Sequence, residues 1–239
     1  MSELRVGIAC VAVGGWYPRG VARMVNAFHE VSPGFTIAAW VNCLPPGSLP
    51  SVIENGYDYT PYCAKPFAIQ YLSKRFDYGI LLDAAFYPIR HIHPLVEHIG
   101  EHGYYLCDNG ARVGEWANDR ALQRMETTRD GAMSITEASS YCVGLDFSKP
   151  ESQLLVHEWC RYAADTVTFP GPHTNVGHQG RNIGWCSDDP RCKGHRHDQS
   201  VLSIIAHRLG MSNLVARPKL TAYLGSETAE TVLVNHGGF

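Results

Sequence analysis

The 239-residue chain has no run approaching the ~18 unbroken apolar residues that a membrane-spanning helix needs. Charge is scarce. Asp, Glu, Lys and Arg make up 18% of the residues, against about a quarter in an average domain, which argues against a disordered chain or a polyelectrolyte binder. The formal net charge is -3, so a general basic surface for nucleic acid is excluded and only a local patch stays open. Internal repeats, low-complexity tracts and long charged runs are also missing. No Gly-x-Ser-x-Gly elbow, P-loop or Gly-x-Gly-x-x-Gly occurs, which leaves α/β-hydrolase, NTPase and Rossmann dehydrogenase chemistry without support. Gly14-Gly15 is the nearest approach to such a loop.

What is present is a chain 45% hydrophobic and 10% aromatic, long enough to bury one large α/β core or two small ones. Its eight cysteines (Cys10, Cys43, Cys63, Cys107, Cys142, Cys160, Cys186, Cys192) are scattered. That scatter suits reduced, mostly buried thiols in a cytoplasmic protein. Arg5 followed by Val6 to Gly15 has the outline of a short signal peptide, and Gly7-Ile8-Ala9-Cys10 that of a lipoprotein cleavage box. Glu3 in the would-be positive region, and the stop at Trp16-Tyr17-Pro18-Arg19, favour a buried first strand instead.

Short apolar runs alternate with helix-period segments, which implies a largely parallel sheet covered by helices. Strands are expected at Arg5 to Val13, Thr36 to Val41, Tyr78 to Leu82 and Thr231 to Val234. Helices are expected over Val21 to Val31 and from about Lys65, with Pro66 in its first turn, to Arg75. Ser148, Pro150 and Glu151 read as a capping box before a helix that carries Leu155, Trp159 and Tyr162 on one face. A last helix follows Asp198 as N-cap and stops at Gly210. Between Phe169 and Gly194 the chain is rich in Gly, Pro, His and Asn, the composition of a functional loop.

Four places carry candidate chemistry. Asp83 ends a strand, where it binds a hard cation or sugar hydroxyls, or else caps the next segment. Gly194-His195-Arg196-His197-Asp198-Gln199 packs polar groups against a helix N-terminus that favours anions; its plainer reading is a solvated loop with a cap. Cys186, Cys192, His195 and His197 are ligand types suited to zinc, but their spacing is that of no standard finger. His195-x-His197-Asp198 also resembles zinc hydrolases, with Gln199 and Ser200 where a further His would stand. Asn235-His236-Gly237-Gly238 either closes over a site or frays.

In order and spacing these pieces resemble a GT-A glycosyltransferase, nearest to the glycogenin-like retaining enzymes and to bacterial and phage glycosyltransferase-like proteins. The landmarks are the first apolar strand with its loop and helix, Lys65 upstream of Leu81-Leu82-Asp83, the Asp198-Gln199 pair, and His236-Gly237. Ser139 to Trp159, with Gly144-Leu145-Asp146 before a helix, looks like the family's acceptor-side region. The resemblance implies an α/β, GT-A-like single domain over 1–239, with a mostly parallel central sheet flanked by helices. Residues 1–110 would form the nucleotide-sugar half, and 111–239 the acceptor half with loop 169–194 and the C-terminal tail.

By the same resemblance, Asp83 matches the first acid of the Asp-x-Asp motif and His236 the C-terminal metal ligand, holding Mn²⁺ or Mg²⁺ on the donor diphosphate. Ala85 stands in place of the second acid, so the alternatives are a weak one-carboxylate site, neutralisation by Lys65 and Arg196 without metal, or lost catalysis leaving a binding module. Lys65 would face the donor, Asp198 would hold donor-sugar hydroxyls, Gln199 would lie beside the anomeric carbon, and Tyr17 would stack on the nucleobase. The donor implied is a nucleotide-diphosphate sugar. The acceptor is a hydroxyl on a glycan, protein, small molecule or modified phage DNA base. For the DNA option, Arg181, Arg191, Lys193 and Arg196 lie in one loop with Trp185. A zinc-dependent hydrolase on His195, His197 and Asp198 is the competing activity.

Overall fold

The structure, a computed structural model, describes residues 4–237. In chain order it begins with β1 (Val6–Ala12), α1 (Tyr17–Val31), β2 (Thr36–Val41), the hairpin β3 (Ile53–Glu54) and β4 (Tyr57–Asp58), and α2 (Thr60–Ser73). Next come β5 (Tyr78–Leu82), β6 (Phe86–Pro88), α3 (His93–His102), β7 (Tyr104–Arg112), a 3-10 turn (Val113–Glu115), α4 (Asp119–Arg124) and α5 (Arg129–Met133). The remainder is β8 (Thr136–Asp146), α6 (Pro150–Ala164), β9 (Thr174–Asn175), β10 (Ile183–Gly184), α7 (His197–Arg208), β11 (Thr221–Tyr223) and β12 (Leu233–Asn235).

Five strands form the central sheet in the order β2-β1-β5-β8-β7. β1 pairs in parallel with β2 and β5, while β8 runs antiparallel between β5 and β7. Four of the five strands therefore point the same way, as the alternating apolar runs imply. The pleat sends Ile8 and Cys10 of β1 into one core and Ala9 into the other. Leu72 of α2, Trp159 of α6 and Ile205 of α7 share the Ala9 face with Leu81 and Val143. Met24 and Phe28 of α1 and Ile99 of α3 share the Ile8 and Cys10 face with Ile80 and Leu82. Each such side chain contributes about 1.5–3 kcal/mol by leaving water. β7 runs through position 110, and β8 joins β5, so the two sequence halves interleave in one sheet. A smaller sheet, β11-β12-β6, pairs Asn235 with Phe86 and lays the C-terminal segment beside the turn after β5.

The strands at 36–41 and 78–82 stand where the sequence places them, and β1 is a buried interior strand of its sheet, between β2 and β5. Helix starts differ. α2 begins at Thr60 with Pro61 in the first turn, so Lys65 is a mid-helix residue and Pro66 lies inside the helix. Pro66 has no N–H for the Tyr62 carbonyl, a cost the flanking core contacts of Cys63, Phe67 and Ile69 offset. α1 begins at Tyr17, four residues early, because Pro18 suits a first turn. α6 has no capping box: Lys149 is the N-cap without a side-chain bond, and the Ser148 N–H donates to Asp146 Oδ1 at 2.8 Å. α7 begins at His197, so Asp198 lies within its first turn and does not cap it. The last strand, β12, is shifted to Leu233–Asn235. Seven of the eight cysteines are buried and none is bridged; only Cys43 is exposed. No helix among the described residues is long and apolar enough to cross a membrane.

Candidate functional site

β5 delivers Asp83 directly at its carboxyl end, the edge where open α/β sheets bind ligands. The Asp83 N–H donates to the Tyr141 carbonyl and the Phe86 N–H donates to the Asp83 carbonyl, both at 2.9 Å, which fixes the turn. Gly20 of α1 lets the helix press on that turn, because a Cβ there would lie 2.3 Å from the Ala84 carbonyl oxygen. Across the sheet end, Trp159 Nε1 donates to the Asp198 carbonyl at 3.1 Å, and Gln199 Oε1 accepts from the Ser140 N–H at 3.4 Å. α6 and β8 thereby set the first turn of α7.

These elements converge on one ammonium. Lys65 Nζ lies 2.7 Å from Asp83 Oδ1 and 3.0 Å from Asp198 Oδ2. Side-chain exposure is 13% for Lys65, 3% for Asp198 and 35% for Asp83, so the Asp198 end is dry and the Asp83 end faces solvent. Burial by itself would lower the Lys65 pKa; Asp198 and Asp83 outweigh it and hold the ammonium above its ordinary value. Burial raises the Asp198 carboxyl, and Lys65 pulls it back toward the charged form.

Two cavities meet at this cluster. The first, of 320 Å³, is lined by Val11, Val13, Tyr17, Tyr57, Tyr62, Lys65 and Asp83 among others. The second, of 360 Å³, shares Tyr62, Lys65 and Asp83 with it and adds Trp116, Ser140, Arg196, Asp198 and Gln199. Both are within the ~300–1,000 Å³ range of small-molecule sites. Tyr17, Lys65, Asp83, Arg196, Asp198 and Gln199 thus all line one connected cleft. His236 is not among the lining residues; its N–H donates to the Ala85 carbonyl at 3.1 Å, beside the Asp83 turn. The Arg196 guanidinium stacks over the Trp116 ring at 4.0 Å.

Sequence reasoning missed Glu137. It is fully buried in β8, and its Oε2 accepts from Asn109 Nδ2 at 2.7 Å. Burial pushes its carboxyl up to about 7, although Asn109, Arg196 and Gln199 all favour the charged form. The sequence offered only an isolated acid in the polar stretch Thr136 to Ser140.

The histidines do other work than metal binding. His195 Nε2 donates to the Thr168 carbonyl at 3.1 Å, and its Nδ1 accepts from the Asn118 N–H at 3.3 Å. His197 Nδ1 donates to the Phe169 carbonyl at 2.9 Å, which leaves Nε2 to accept from His173 Nδ1 at 2.8 Å. His173 Nε2 then accepts from the Tyr57 hydroxyl at 2.8 Å. Burial lowers the pKa of all three, His195 to about 4, so the neutral tautomers of this chain are the stable ones. His197 holds a left-handed φ of 46°, a strain its two ring anchors over-determine. The Cys186 thiol donates to the Pro172 carbonyl, and Cys192 points at the Ala117 and Gly194 carbonyls. No ring lone pair on His195 or His197 is left for zinc, which removes the physical basis of the hydrolase alternative.

A divalent cation would find few protein ligands here. Among the described residues no three His, Cys, Asp or Glu side chains converge on a point that could hold one. Asp83, the single carboxylate of the Asp-x-Asp position, shares the Lys65 ammonium with Asp198, and Ala85 supplies no oxygen. Asp83 would hold Mg²⁺ or Mn²⁺ only with water and donor phosphates filling most of its roughly six oxygen positions.

No family model and no curated relative matches the sequence. Among solved structures, the chain is similar to the apo structure of the bifunctional glycosyltransferase WbbM, with a TM-score of 0.54 and 11% identity. The likeness covers 100% of this chain and 46% of that one, so the chain spans less than half the length of its neighbour. At that identity the likeness establishes a glycosyltransferase-like α/β fold and does not reach the glycogenin-like branch.

Proposed function

We propose that the protein transfers a glycosyl group from a nucleotide-diphosphate sugar to a hydroxyl acceptor. The observation that carries this is Lys65, bound to both Asp83 and Asp198 at the seam of two ligand-sized cavities. The nucleobase enters the first cavity, where Tyr17 is 42% exposed and offers a ring to stack on. The diphosphate meets Arg196 and the solvent-facing side of the Lys65 ammonium, displacing Asp83 from it, and Asp198 accepts hydrogen bonds from donor-sugar hydroxyls. Gln199 lies beside the anomeric carbon. The C1–O bond to phosphate breaks and its electron pair leaves on the diphosphate. The acceptor oxygen bonds to C1, and its proton passes to the departing phosphate. Fixed charges facing the leaving group stabilise that separation, each such donor being worth about 10²–10³ in rate.

Charge neutralisation by Arg196 and Lys65 in place of a divalent ion is part of the proposal. A DNA base as acceptor is not. Arg191 is paired with Asp130 and Asp189, and Lys193 with Glu115, so two of the four loop cations are already neutralised.

Thermal shift with a panel of nucleoside diphosphates and nucleotide sugars, with and without Mn²⁺, tests the reading. At a hundred times its dissociation constant a ligand adds about 2.7 kcal/mol, which raises the midpoint of a chain this size by about 5–10 °C. We expect one nucleotide family to give that shift equally without metal. A shift seen only with Mn²⁺ would overturn the metal-free part. The absence of any shift would overturn the whole. Binding without donor hydrolysis or transfer would reduce the protein to a binding module.

A further inference from the structure

Two more depressions continue from the second cavity along the irregular loop. The first, of 530 Å³, shares His173 with it and is lined by Asn55, Gly56, Tyr57, Thr174, Arg181 and Asn182. The second, of 430 Å³, shares Asn55 and Asn182 with its neighbour and ends at Ile183, Gly184 and Trp185. Together they make an open groove from Gln199 to Trp185, bounded by the β3–β4 hairpin on one side and by β9–β10 on the other.

The groove is rigidly built. Asn175 is buried; its Nδ2 donates to the Ser187 and Cys192 carbonyls at 2.9 and 3.3 Å, and its Oδ1 accepts from the Cys186 N–H at 2.7 Å. Gly194 lets the chain return beneath it, because a Cβ there would lie 1.9 Å from the His173 carbonyl oxygen. Arg120 clamps Glu54 through two bonds of 2.7 and 2.8 Å and donates to the Pro170 carbonyl at 2.9 Å, fixing hairpin to loop.

Trp185 is 56% exposed, and its indole N–H is spent on Asp188 Oδ1 at 2.8 Å. The polar edge of the ring is therefore satisfied within the protein, and its apolar faces are what the groove offers. Amides from Asn55 and Asn182 and the Glu54–Arg120 pair stand along the same path. A chain of pyranose rings has matching chemistry: a C–H face that packs on indole, and vicinal hydroxyls that bond planar amide, carboxylate and guanidinium groups. A basic polymer does not match, because Arg120 cancels Glu54 and Arg181 adds a positive charge to the groove.

We propose that the acceptor is a saccharide chain seated in this groove, its reacting hydroxyl at Gln199 and a distal unit stacked on Trp185. This rests on the transferase reading above and names its acceptor class. The test uses the full chain on a printed glycan array spanning the common hexose, N-acetylhexosamine and deoxyhexose linkages, beside Trp185→Ala and Trp185→Phe. We expect the wild type to retain glycans of two or more units, Trp185→Ala to bind them about tenfold more weakly, and Trp185→Phe to keep most of the affinity. Trp185 does not line the first cavity, so both variants should give the wild-type nucleotide shift and melting temperature. Retention of no glycan by a protein that does show the nucleotide shift would overturn the inference. Equal retention by Trp185→Ala, or transfer to a peptide or lipid alone, would overturn it too. Glycan binding that depends on Trp185 in a protein without any nucleotide shift would keep the groove and remove the transferase reading.

Discussion

Replacing Lys65 by Met keeps the apolar stem and removes the charge. In the wild type the ammonium stands 2.7 Å from one carboxylate and 3.0 Å from another, and the second is 3% exposed. Without it, Asp198 holds a negative charge that neither water nor a cation balances. Removing one partner of a buried pair costs about 3–5 kcal/mol. The 35% exposure of Asp83 lets water screen its share, so the lower end, about 3 kcal/mol, is expected. At about 2–4 °C per kcal/mol for a chain of this length, the melting midpoint should fall by about 6–12 °C. Adding Asp198→Asn removes the stranded charge. The double variant should therefore recover most of the loss, with a coupling of about 2 kcal/mol or more. Acid should help Lys65→Met as well, since a native Asp198 that binds a proton more tightly than the unfolded chain gains stability as pH falls. Urea denaturation of the wild type, Lys65→Met, Asp198→Asn and the double variant at pH 7 and pH 5 measures all of this. A loss below about 1 kcal/mol for Lys65→Met, or no recovery in the double variant, would refute the picture of a dry Asp198 anchored by one cation.

The carboxyl of Glu137 provides a second handle. Its value of about 7 against an ordinary 4.5 means that the native state binds a proton the unfolded chain has released in that window. Stability therefore falls as pH rises through it, by about 3 kcal/mol at 1.36 kcal/mol per tenfold in proton affinity. Glu137→Gln should lose this slope, and parallel stability–pH curves for variant and wild type would count against it. Gly20→Ala drives a methyl onto the Ala84 carbonyl. It should cost about 1–3 kcal/mol and shrink the nucleotide-induced thermal shift by displacing Asp83; an unchanged melting curve would show that α1 has room to move.

Legibility in the sequence varied with how local each signal was. β2 and β5 are short, mostly apolar runs, and their ends were plain. β8 was not legible: Thr136–Asp146 mixes Glu137, Ser139, Ser140 and Gly144 into a central buried strand, so neither alternation nor an apolar run announces it. The start of α2 was lost because Pro61 and Pro66 both look like first-turn prolines, and only the packing of Cys63 and Phe67 decides between them. Lys65, Asp83, Asp198 and Gln199 were each visible as polar residues at element ends. That Lys65 bonds both acids at once depends on α2 and α7 crossing the same sheet end, which no local pattern encodes. Glu137 was hidden for the same reason, since its altered proton affinity arises from burial beneath α7.

The pairing of β12 with β6 has a consequence for how the protein is made. A chain leaving the ribosome possesses every strand of the large sheet once residue 146 has emerged, and can collapse around it. The edge of Phe86–Pro88, next to the Asp83 turn, stays uncovered until Leu233–Asn235 arrives to seal it. Nascent chains halted before that point carry a folded body with an open, adhesive strand at the mouth of the cleft, a natural target for holding chaperones and for quality-control proteolysis.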